Sequence, residues 1–133
     1  MRYLILLFFL LPCICQADDI DRLINAIAIV ESDACDYPKG SNDNGLAKGR
    51  YQIHQDYWTD GVEFLRVDWP YSDAHNPVKA KQVVRAYFNR YGKNLSIEQL
   101  AKLHNDGPNW KRKDEVAQKK LNEYWKKVKG ELK

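Results

Sequence analysis

Apolar residues recur at helical spacing in several stretches of the chain, separated by clusters of turn residues. Ile20, Leu23, Ile24, Ile27 and Val30 share one helical face, with Asp18 or Asp19 placed to cap it, and Glu31 follows at its end. Ser32 to Gly49 is rich in Gly, Asn, Asp, Ser and Pro, and reads as loop with room for a small hairpin around Asn44-Gly45. Tyr51-Gln52-Ile53 is a short β-like piece leading into a helix near Asp56 to Phe64. Asn76-Pro77 and Gly92 bound a further helix carrying Val83, Val84, Tyr87, Phe88 and Tyr91. Ser96 and Gln99 form a capping box for a helix running toward His104, which Gly107-Pro108 breaks. Asp114 opens a last helix with Val116, Leu121, Tyr124, Trp125, Val128 and Leu132. The pattern predicts an α+β, mainly helical domain of about five helices and one small β-hairpin region. No internal repeat or low-complexity stretch interrupts it.

The first seventeen residues are read separately. Met1 and Arg2 are followed by an apolar run from Tyr3 to Leu11, then by the small-x-small ending Cys15-Gln16-Ala17. This is the layout of a secretory signal peptide, and the continuous apolar stretch, residues 3 to 15, is shorter than the roughly twenty residues of a membrane span. The expectation is a leader over residues 1–17 and one domain over 18–133, secreted to the extracellular space or periplasm without stable membrane insertion after processing. Cleavage there leaves Cys35 as the one cysteine, so no internal disulfide is available.

Charge is unevenly spread. Residues 18–76 carry a net −7 and residues 77–133 a net +9, so a basic second half could meet an anionic surface such as a cell wall. A solvated helix face is the slightly better account of the Lys-rich tail. The acidic first half and a sequence pI near 8.7 argue against nucleic acid as a partner. His54, His75 and His104 are scattered and no cysteine pair survives processing, so no metal site and no cofactor are expected.

Candidate chemistry centres on Glu31. A carboxyl group between an apolar helix and a polar loop is half-desolvated, which raises its pKa and suits it to proton donation. A solvated glutamate at a helix end is the plainer reading of that residue alone. Its neighbours add to it: Glu31-Ser32, Asp43, Gly45, Gly49, Tyr51-Gln52-Ile53, Tyr57-Trp58, His104-Asn105-Asp106-Gly107-Pro108, and Tyr124-Trp125 with Val128. In order and spacing this arrangement resembles the invertebrate-type (i-type) lysozymes and their bacterial relatives in the lysozyme-like superfamily. The resemblance implies a lysozyme-like fold and an antimicrobial, cell-wall-lysing glycosidase that hydrolyses the β-1,4 bonds of peptidoglycan. It matches Glu31 to the general acid and Asp43 to the second carboxylate, with Asp33 as the nearer competitor and Asp36 also in range.

Glycoside hydrolysis needs one protonated acid and one ionised carboxylate, and the apolar setting of Glu31 against the polar setting of Asp43 separates their acidities in that sense. Tyr51, Gln52, His104 and Asn105 have the right chemistry to line a glycan cleft, although Tyr51 and His104 are equally well read as hydrogen-bonded packing residues. Asp106 stands where the family motif has glycine, and the disulfides of the animal members are missing. Two alternatives differ in kind: a lytic transglycosylase using Glu31 alone, and a non-catalytic peptidoglycan-binding protein.

Overall fold

A computed structural model describes residues 13–39 and 45–133. Among the described residues five α-helices follow one another: α1 (Cys13–Ser32), α2 (Gln55–Leu65), α3 (Pro77–Tyr91), α4 (Ile97–Asp106) and α5 (Glu115–Glu131). Short 3-10 turns at Tyr71–His75 and Trp110–Arg112 precede α3 and α5. The mainly helical class is thus as the periodicity predicts. Helix α1 begins earlier than expected, with Asp18 and Asp19 inside it and not at its cap. Nothing between Pro12 and Asp18 breaks a helix, so propagation continues back toward the proline. Most of the leader expected over residues 1–17 lies outside the described residues, and Cys13 to Ala17 are continuous with α1.

The local stop and start signals work as their chemistry dictates. The Asn76 side chain accepts from the N–H groups of Val78 and Lys79, with Pro77 in the first turn. Ser96 and Gln99 form the reciprocal capping box, and Asp114 accepts from the Ala117 N–H. Each of these satisfies donors that the helix itself leaves unpaired.

The hairpin is where expectation and structure part. Among the described residues there is no strand, only an antiparallel bridge in which Lys48 and Ile53 exchange both backbone hydrogen bonds at 2.9 Å. The ladder cannot lengthen on that side because His54, next after Ile53, is already the N-cap of α2. Asn44, half of the expected turn, lies outside the described residues.

Leu23, Ile24 and Ile27 of α1, Val83 and Val84 of α3, Leu103 of α4, and Leu121 and Val128 of α5 are all but fully buried in one core with Trp58 and Ile53. Helix α2 lies along α3, where Gly61 allows the approach: a β-carbon there would fall 2.6 Å from Val83 Cγ1. Helix α5 closes the other side, packing on both α1 and α4. Among the described residues no helix is long and apolar enough to cross a membrane.

Candidate functional site

Glu31 occupies the last turn of α1, and the chain leaves that helix sharply. Asp33 and Ala34 both adopt left-handed conformations, with φ of 52° and 57°. Their N–H groups donate to the carbonyls of Ile29 and Ala28, each at 2.9 Å, closing the helix end without a glycine. Left-handed backbone costs a non-glycine residue about 1–2 kcal/mol. A tether holds it in place: the Ser32 hydroxyl donates to the Arg50 carbonyl at 2.7 Å and accepts from the Cys35 N–H at 3.1 Å. The end of α1 is thereby fixed against the 48–53 turn.

Around Glu31 polar side chains from three helices gather in one cluster. The Tyr124 hydroxyl, from α5, donates to Glu31 Oε1 at 2.8 Å. His104, from α4, places Nε2 3.9 Å from the same oxygen, and its ring is buried. Nε2 is 3.0 Å from the Tyr51 carbonyl, which can only accept, so Nε2 carries the proton. Nδ1 therefore accepts from the Tyr57 hydroxyl, 2.9 Å away. Burial lowers the His104 pKa to about 4 against the opposing pull of the Tyr51 carbonyl. At neutral pH the imidazole is uncharged, and its approach to Glu31 is not an ion pair. Burial likewise pushes the Tyr57 and Tyr124 phenols up, so both remain protonated donors. Tyr57 stacks on Tyr87 with ring centroids 3.6 Å apart.

The other expected site residues are placed unevenly. Tyr51 is 2% exposed, with its carbonyl on His104. Gln52 sits in left-handed backbone at φ 48° and turns its Nε2 back to the Gly49 carbonyl at 2.9 Å. Asn105 is exposed at the end of α4. Asp43 lies outside the described residues. Of its competitors, Asp33 is exposed and Asp36 accepts from Arg50 Nε at 2.6 Å. Cys35 is exposed and free. Among the described residues no group of His, Cys, Asp or Glu is arranged to hold a metal ion. Sequence reading missed Tyr124 and Tyr57 as polar partners, taking Tyr124 as an apolar helix position and Tyr57 as part of a motif. Ninety-three residues separate Tyr124 from Glu31, and the one signal available was the Tyr124-Trp125 pair within the family-like motif set.

Comparison with known proteins gives no matching family model and no matching curated protein. Among solved structures the chain is similar to the crystal structure of Aeromonas hydrophila PliI in complex with Meretrix lusoria lysozyme. The identity is 25%, the match covers 77% of this chain and 87% of that one, and the TM-score is 0.59. This finding corrects the enzymatic expectation. That structure is a complex of PliI with a lysozyme, one protein bound to another. The readings of the chain as a muramidase, glycosidase or hydrolase, and of peptidoglycan strands as its partner, are withdrawn on this finding. The physical reason the motifs misled is that they consist largely of residues that build the fold, such as Tyr51, Tyr57 and His104, which fill the core and bond one another.

Proposed function

We propose that this chain is an exported, non-catalytic protein that acts by binding a lysozyme. The observation that carries the reading is its similarity, over most of both chains, to a structure in which PliI and a lysozyme are held together. The site is consistent with a binding role. Tyr124, His104, Tyr57 and the Tyr51 carbonyl are engaged with Glu31 or with one another, which pre-organises the end of α1 from within the core. Pre-organisation favours association because fewer side chains lose freedom when the partner arrives. Export to the periplasm or beyond, as the composition of residues 1–17 suggests, brings the chain to where lysozymes act.

The test is a titration of Meretrix lusoria lysozyme with the purified chain, following wall lysis by turbidity and binding by calorimetry. Lysis should fall toward background at equimolar chain, with heat of binding saturating at the same point. Two results would overturn the proposal. One is lysis by the chain alone that Glu31→Gln abolishes. The other is binding to PliI in preference to the lysozyme, which would place the chain on the enzyme's side of that pair.

A further inference from the structure

A cleft of about 360 Å³ opens between α1 and the first turns of α3, with Asn25, Arg50, Tyr51, Val78, Lys81 and Arg85 in its walls. Its three cations come from two separate parts of the chain. Arg50 belongs to the 48–53 turn, and Lys81 and Arg85 stand one helical turn apart on α3. Arg50 and Arg85 line the cleft together with Tyr51. Two carboxylates hold these cations in place. Asp36 accepts from Arg50 at 2.6 Å, and Asp21 takes both Lys81, at 3.1 Å, and Arg85. Three cations against two carboxylates leave an excess positive charge. The first turn of α3, whose N-terminal end is the positive end of its dipole, adds to it.

The rim is apolar and exposed. Val78 is 65% exposed, and Tyr37 is 71% exposed although its ring is held. It stacks on His75 at 4.5 Å between centroids, while His75 Nδ1 is 2.8 Å from the carbonyl of Asp36 and so donates to it. Val78 lines the cleft beside Arg50, and Tyr37 adjoins Asp36 in the chain and is held through His75. A rigid exposed tyrosine and an exposed aliphatic group around arginines have the composition of a binding hot spot.

We infer that this cleft is the docking surface for the lysozyme partner, receiving a carboxylate-bearing loop of that protein between Arg50, Lys81 and Arg85, with Tyr37 and Val78 covering the contact. The inference rests on the binding function proposed above. Charge complementarity selects the occupant. An acidic side chain entering the cleft meets guanidinium and ammonium groups already arranged for carboxylates, and it neutralises their excess charge as water leaves. None of Tyr37, Val78 and Lys81 is part of the buried core.

The experiment compares the wild-type chain with the triple variant Tyr37→Ala, Val78→Asp, Lys81→Glu for binding to Meretrix lusoria lysozyme, and treats the wild-type complex with a carbodiimide. Affinity should fall at least about 100-fold in the variant, whose circular dichroism and melting temperature report that it is folded. Carbodiimide should join Lys81 to an Asp or Glu of the lysozyme through an amide, with loss of water. Wild-type binding that the triple variant retains, with no crosslink at Lys81, would overturn this surface and leave the binding function standing. Absence of any wild-type complex would overturn both.

Discussion

Gly49→Ala should destabilise the protein by about 3–4 kcal/mol, far more than the same substitution at Gly45. Both glycines have positive φ, 74° and 83°, so each replacement carries the roughly 1–2 kcal/mol of a left-handed alanine. They differ in their surroundings. A β-carbon at Gly49 would lie 1.9 Å from the carbonyl oxygen of Ala74, whereas at Gly45 nothing lies within 4 Å. Ala74 is buried in the turn before α3, so relief requires the 48–53 segment to move away from it. That shift strains the Lys48–Ile53 bridge and the Ser32–Arg50 tether together. Overpacking of this kind typically adds about 1–3 kcal/mol. Urea unfolding of the two variants checks the difference, and equal losses would mean that the close approach at Ala74 does not constrain the fold.

The second large effect is on the pH dependence of stability. The folded-state pKa of His104 is lowered to about 4, while the unfolded chain should titrate near the ordinary 6.5. The unfolded state therefore takes up the proton first as pH falls. Stability contributed by the neutral imidazole is complete above pH 6.5 and declines through the window down to about 4, by about 3 kcal/mol in all. Protonation would also give Nδ1 a proton facing the Tyr57 hydroxyl, so that the phenol has to turn its own proton elsewhere. Asp21 acts at lower pH. Partial burial pushes its carboxyl up, but the hydrogen bonds from Lys81 and Arg85 outweigh that and hold it below the usual range. Its share is lost only as pH falls through that depressed value. Denaturation curves at pH 7, 5.5 and 4.5 should show the decline in wild type and a much shallower one in His104→Gln, whose overall stability is lower. Parallel slopes in the two proteins would exclude His104 as the cause.

The helices were legible because their signals are local. Asn76-Pro77, the Ser96 and Gln99 pair, and Asp114 each act within one turn, and the structure uses all of them. Glu31 at the end of α1 was legible for the same reason. What escaped the sequence depends on contacts between distant segments. The hairpin reduces to one bridge because α2 begins at once after Ile53, a competition between neighbouring elements that β-propensity does not register. The Tyr124–Glu31 bond and the His104 tautomer depend on three helices meeting, and Tyr124 taken alone is an unremarkable aromatic on a helix face. Function was harder still. Residues such as Tyr51 and His104 suit a sugar-binding cleft by chemical type, yet both are buried and bonded to each other.

The position of α5 bears on how the molecule comes together. Its partners are α1 and α4, and its contact with α1 closes the longest loop of the fold, with Tyr124 reaching back ninety-three positions to Glu31. Closing a long loop carries more chain entropy than pairing neighbours such as α2 and α3, which are joined through a short segment. Helix α5 also brings few fully buried side chains, Leu121 and Val128. A cooperative unit of α1 to α4 with α5 docking last is the order this implies. Amide hydrogen exchange should accordingly release α5 at lower free energy than the buried turns of α3, and uniform protection across both would show one indivisible unit. Until α5 docks, the Glu31 carboxylate lacks its Tyr124 donor and His104 loses a neighbouring wall, so the cluster at the end of α1 is completed by the last step of folding.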